Sequence, residues 1–137
     1  MPEPCCPWCQ TALGDHAGDP CLDAWVAESI LGWRRTSLAT GRTIDVLLWE
    51  TPDGRWERLL TIPGYSTDIA SAWQIVEQME AHRTIQVSLD NLGPGWVFHM
   101  WMNHKEYAEG AQWAPLAICK AALRACLEEK PCTSRFN

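Results

Sequence analysis

The sequence predicts an α+β domain in which helices and antiparallel hairpins pack in layers, in the order α-ββ-α-ββ-α, behind a small N-terminal Cys/His module. Three observations lead there. Apolar side chains recur at helical spacing in three stretches, around residues 20–31, 66–80 and 115–127. Between them lie two pairs of β-rich runs, each pair joined by a turn rich in Gly, Pro, Asn or Asp. The first 21 residues have no such periodicity and instead carry Pro, Gly, Asp and four of the seven cysteines.

The first helix starts where Asp19 can cap and Pro20 fits the first helical position. Leu22, Trp25, Val26, Ser29 and Ile30 then share a face, and Gly32 is a natural stop. "TIDVLLWE" and "RWERLLTI" flank Pro52-Asp53-Gly54 and make the first hairpin. In "PGYSTDIASAWQIVEQMEAH" (63–82), Ser66 or Thr67 is the expected N-cap and Asp68 suits the positive helix end. Ile69, Trp73, Val76 and Met79 or Glu80 follow helical spacing there, and Trp25 and Trp73 are expected in the core. The second hairpin pairs "TIQVSL" with "WVFHMWM" through "DNLGPG". In its second strand Trp96, Phe98, Met100 and Met102 face one way, and Val97, His99 and Trp101 the other. The third helix begins near Pro115 and buries Leu116, Cys119, Leu123, Cys126 and Leu127.

A chain of 137 residues is about one domain, long enough to bury a hydrophobic core. Its formal charge is −6 and it has no Lys/Arg cluster, which argues against a strong grip on duplex nucleic acid. No apolar run approaches the roughly 20 residues that span a membrane. "MPEPCCPW" also lacks the basic and apolar regions of a signal peptide. The expected compartment is the cytoplasm, where thiols stay reduced.

The only stretch whose spacing points to specific chemistry is "CPWCQTALGDHAGDPC" (6–21). Cys6-x₂-Cys9 is a tight arm that aims two thiolates at one point. His16 follows after six residues and Cys21 after four more, giving C-x₂-C-x₆-H-x₄-C. Three thiolates and an imidazole meet the tetrahedral preference of Zn²⁺ in a closed structural site. Gly14 and Gly18 supply the backbone freedom a short wrap needs. Cys5 competes with Cys6 for the first position. A disulfide, or a tail of scattered cysteines, is the alternative, although seven cysteines cannot all pair internally. A catalytic zinc is not expected, because no H-x-E and P-C-x-x-C arrangement accompanies the cluster. Trp8 reads as a lid over the site more readily than as a stacking face for an unpaired base, given Asp15 and Asp19 nearby.

"LDAWVAESILGW" (22–33), "PGYSTDIASAWQIVEQM" (63–79) and "APLAICKAALRA" (114–125) together resemble the phage ABA sandwich domain family. The resemblance covers about residues 22–127 and implies a three-layer α/β/α arrangement and a phage or prophage source. It implies no reaction. The expected division is a zinc-knuckle-like segment over 1–21, the sandwich-like domain over 22–130, and a tail over 131–137.

Two sets of residues are candidates for ligand binding. At "GYSTD" (64–68) a helix N-terminus offers backbone N–H groups, the Ser66 and Thr67 hydroxyls, the Tyr65 ring and the Asp68 carboxylate. A capped helix with Tyr65 as its hydrophobic staple is the plainer reading of the same residues. The chain also has nine Trp against two Tyr and two Phe, more than its core calls for. Of these, Trp33, Trp101 and Trp113 are expected to be exposed and to serve a base or a protein partner. Cys119 and Cys126, seven apart on an apolar stripe, read as core. His82, His99 and His104 have no partner at metal or triad spacing, so no catalytic constellation is evident and no enzyme is expected.

The leading reading is a phage-encoded, non-enzymatic protein of the bacterial host cytoplasm that sequesters a nucleotide-type small molecule, such as a host immune signal. An adaptor that inhibits a host protein is the alternative, and an enzyme on nucleotides the third. Self-association is compatible with exposed Trp on a small chain.

Overall fold

The computed structural model describes residues 3–7, 9–17, 20–38, 46–50, 56–58 and 63–129. After a 3-10 turn at Leu13–Asp15 come α1 (Pro20–Ser29), β1 (Arg34–Leu38), β2 (Val46–Glu50) and β3 (Trp56–Arg58). Then follow α2 (Ile69–His82), β4 (Ile85–Asn91), β5 (Trp96–Met102), β6 (Lys105–Ala111) and α3 (Ala114–Glu129). Asp19, the Pro52-Asp53-Gly54 turn and the tail over 131–137 lie outside the described residues.

The α+β class and the alternation of helices with antiparallel strands are as expected. The strand count is a correction: each hairpin carries a third strand, so the sheets run β1-β2-β3 and β4-β5-β6 and the order is α-βββ-α-βββ-α. β1 reads "RRTSL", with no alternation of its own, and its place comes from its ladder with β2, from Arg34 opposite Glu50 to Leu38 opposite Val46. β6, "KEYAEGA", is made of residues mostly depleted in strands. A full ladder to β5, from Met102–Lys105 to Trp96–Ala111, holds it. The connection is a two-residue turn in which Asn103 and His104 both take positive φ, 56° and 64°. His104 stands where glycine usually announces such a turn, which hides it from view in the sequence.

α3 lies at the centre. It packs on β5 and β6 from one side, while α1 and α2 pack on it from others. Its burial exceeds the single stripe expected: every residue from Leu116 to Leu123 is buried, as are Ala125 and Cys126. Ala117, Ala121, Ala122 and Ala125 let neighbours approach on the additional faces. The sheet turns Phe98, Met100, Met102 and Tyr107 inward, in the period of two expected for β5.

α1 is similarly enclosed, with Leu22 to Ala27 all buried, Trp25 among them. Gly32, at φ 80°, turns the chain out of it. In α2 the buried stripe is Ala72, Ile75, Val76 and Met79. Trp73, expected in the core, is 39% exposed, and Ile69, at the same helical spacing, is 48% exposed. The buried face is rotated toward Ala72, on the helix that packs against α3, where a small side chain permits close approach. Trp73 meets Phe98 edge-on, ring centroids 6.4 Å apart.

The N-terminal segment is joined to this body. Lys120 Nζ, buried on α3, donates to the Gly14 carbonyl at 2.7 Å. Arg124 bridges Glu3 to Glu109 of β6, and Glu3 Oε1 also accepts from the Gly14 N–H at 2.9 Å. Burial works against the Arg124 charge, but the two carboxylates outweigh it and raise its pKa. Arg124 and the Gly14 N–H in turn hold the Glu3 carboxyl below its usual range. Cys21 is the second residue of α1, so the expected division between residues 21 and 22 falls inside a helix.

Candidate functional site

The Cys/His cluster is built by a tight turn and a helix start. Cys6 N–H donates to the Thr11 carbonyl, Gln10 N–H to the Cys6 carbonyl, and Leu13 N–H to the Pro4 carbonyl, each at 2.9 Å. An isolated bridge pairs Cys5 with Ala12. Gln10 takes the left-handed conformation, φ 63°, that lets the chain reverse around Cys9. The reversal places Cys6 and Cys9 on one side, the 3-10 turn brings in His16, and the first turn of α1 delivers Cys21.

The ligand atoms of Cys6, Cys9, His16 and Cys21 all lie within 4.8 Å of one another, a cluster that can hold a metal ion. His16 Nε2 is 3.4 Å from both Cys9 Sγ and Cys21 Sγ. A tetrahedral Zn²⁺ with typical bonds of about 2.3 Å to sulfur and 2.0–2.1 Å to nitrogen has an S···N edge of about 3.5 Å. The spacing therefore suits the ion. Cys6 is fully buried, whereas Cys5 is exposed and turns its thiol to the Glu3 carbonyl. The choice between those two, open in the sequence, falls to Cys6 in this geometry. Thr11, through its hydroxyl and its backbone N–H, holds the Cys9 thiol below the ordinary thiol range.

Residues 64–68 are arranged differently from the expectation. The N-cap of α2 is Asp68, whose carboxylate accepts from the Ser71 N–H and hydroxyl, both at 2.9 Å. Neither Ser66 nor Thr67 caps, because they stand two and one residues before the cap position. Ser66 is buried, and its backbone N–H donates to the Asp23 carboxylate of α1 at 2.8 Å. Its Oγ has no hydrogen-bond partner. Tyr65 is 3% exposed, and burial, helped by Asp23, pushes its phenol up to about 12. The same two causes push the buried Cys119 thiol up, consistent with a core side chain. Tyr65 and Ser66 thus face the interior, while Thr67 and Asp68 are exposed.

The three tryptophans separate as well. Trp33 is partly buried against the core. Trp113 is 58% exposed just before α3. Together with Trp96, Thr67, Ala114 and Pro115 it lines an open cleft of about 390 Å³. Trp101, 38% exposed, lies on the opposite face of the sheet from Trp96, beside His99. Trp96, the first residue of β5 and not among the three tryptophans expected to bind, is also part of the cleft. Trp8 lies outside the described residues.

The model of the phage ABA sandwich domain family matches residues 24–123. A solved structure, that of a phage protein from Bacillus cereus ATCC 14579, is 24% identical with a TM-score of 0.55, over 80% of this chain and 92% of that one. That likeness concerns the fold. No curated protein matches the chain. All four residues of the Cys/His cluster precede the part that the family model covers. Among the described residues no helix is long and apolar enough to cross a membrane.

Proposed function

The chain belongs to the phage ABA sandwich domain family, and from that premise we propose that it is a non-enzymatic binding protein, acting in the host cytoplasm, that sequesters a flat, nucleotide-type small molecule. A signalling nucleotide of host immunity is the most concrete form of that ligand. The observation that carries the reading is the cleft at the start of α3, where Trp96 and Trp113 stand with Thr67. Its volume of about 390 Å³ falls in the range of small-molecule sites, about 300–1,000 Å³. Two indoles offer faces to a base, at about 1–3 kcal/mol per stacked base. The N-terminus of α3 favours an anionic group beside it. Asp68 already serves as a cap and is not required for the ligand.

The Cys/His cluster takes a structural Zn²⁺ in this reading. Cys6, Cys9 and Cys21 would bind as thiolates and His16 through Nε2, leaving no open position for a reacting molecule. The ion fastens the start of α1, from which Asp23 holds the 64–67 turn and so the position of Thr67 in the cleft.

Thermal unfolding with a panel of cyclic and linear nucleotides tests the ligand. A binder at 100 times its Kd adds about 2.7 kcal/mol of stability. The shift should vanish in Trp113→Ala and persist in Trp33→Ala. No shift with any member of the panel would overturn the reading.

A further inference from the structure

The sheet of β4, β5 and β6 packs against α3 and buries Phe98, Met100 and Met102 on one face, while on the other Asp90, Trp101, Glu106 and Ala108 are exposed. That outer face presents Ser88 and Asp90 of β4, His99 and Trp101 of β5, and Glu106 and Ala108 of β6. It contains no Lys or Arg, since Lys105 at the edge turns to Glu128 of α3 and lies over the Tyr107 ring on the inner side.

The face is ordered around an aromatic pair. The His99 and Trp101 rings stack with centroids 5.7 Å apart and planes 12° from parallel. His99 Nδ1 lies 2.6 Å from Glu106 Oε2, and Nε2 lies 3.5 Å from Asp90 Oδ2. The Ser88 hydroxyl donates to Asp90 Oδ2 at 3.2 Å. These contacts fix both carboxylates and the ring pair before any partner arrives, which lowers the ordering cost of binding. Both acids remain open: the Asp90 and Glu106 side chains are 52% and 46% exposed. The ladders set Trp101 between Gln86 and Glu106 and His99 between the small Ser88 and Ala108, so only short side chains flank the imidazole.

We propose that this face docks an arginine-bearing segment of a partner protein. A guanidinium stacks flat on an indole and can fork to a neighbouring carboxylate, and this surface offers the two side by side. The same acids disfavour a nucleotide on Trp101, because they would meet its phosphates. This proposal does not rest on the cleft at Trp113, which lies on the other side of the sheet.

The test is a binding titration of the full chain, followed by calorimetry, with a short Arg/Gly peptide and with Lys/Gly, Glu/Gly and AMP as comparison probes. The Arg/Gly peptide should bind best among the peptides, and its affinity should fall with salt. Trp101→Ala should weaken it roughly 2- to 30-fold, the span of a cation–π contact. Glu106→Gln, nearly isosteric and so safe for the fold, should weaken it as well, while Trp113→Ala should leave it unchanged. Failure of the Arg/Gly peptide to bind overturns the proposal. So does Arg/Gly binding that is indifferent to both Trp101→Ala and Glu106→Gln, or AMP or Glu/Gly binding that depends on Trp101.

Discussion

Along α3 burial is continuous from Leu116 to Leu123, and every side chain there except Lys120 is apolar. Among the described residues of 3–17 only Cys6, Leu13 and His16 are buried. The two regions are nevertheless in contact and share the same core. Magnitudes separate the forces that hold them. Ordering the backbone costs about 1–2 kcal/mol per residue, and full burial of one Leu returns about 1.5–3 kcal/mol. A structural Zn²⁺ contributes about 10–16 kcal/mol in small peptides. Apolar burial suffices for α3, whereas the N-terminal segment buries little and leans on polar latches and on a Cys/His cluster that can hold a metal ion. The lesson is that one hydrophobic cluster can contain segments with different dependence on chemistry.

The sharpest way to break that comparison is Cys9→Ser. The wild-type chain should carry about one zinc, released when the thiols are modified. The variant should lose that metal and gain rapid hydrogen exchange over residues 3–17, with α3 and β4 to β6 still protected. Stoichiometric zinc in the variant would reject the ligand set, and global unfolding would reject the independence of the body.

The latches come next. Arg124→Ala removes the cation shared by Glu3 and Glu109, and denaturant unfolding should show a measurable loss of stability that fades as salt is added. The loss should shrink in a chain already lacking Glu3's carboxylate, since the two then report one interaction.

At the start of α2 the structure reverses the sequence expectation. Asp68→Ala should cost about 1 kcal/mol through the lost cap. Ser66→Ala removes a buried hydroxyl without a partner and should leave stability equal or higher. A loss on Ser66→Ala as large as on Asp68→Ala would restore Ser66 to a structural or binding role.

The smallest effect belongs to the knuckle. Gln10 holds a left-handed conformation that glycine adopts without penalty. Gln10→Gly should therefore stabilise the metal-bound chain by up to about 1 kcal/mol, read as a higher melting midpoint, with zinc content unchanged.

These regions also differ in how well the sequence discloses them. The cluster spacing is legible because sixteen consecutive residues, 6–21, contain all four side chains. The preference for Cys6 over Cys5 is not, because it depends on backbone pairing with Thr11 and on which thiol turns inward. α2 is legible as a helix, but its buried face, on the helix that packs against α3, takes Ala72 rather than the larger Trp73. β1 and β6 carry little signal of their own and exist through their neighbours. The aromatic cleft joins residues 67, 96 and 113, a meeting that local periodicity does not encode.

The latch between Glu3 and Arg124 spans 121 positions of the chain. On the ribosome the order of events follows from that distance. Residues 6–21 can gather around an ion soon after the first turn of α1 emerges, since all four candidate ligands lie within them. Their docking waits until α3 has been synthesised, when Lys120 and Arg124 become available. Through that interval a nascent chain would carry a closed clip with no surface to close upon, leaving Leu13 and the apolar residues of α1 to solvent or to chaperones.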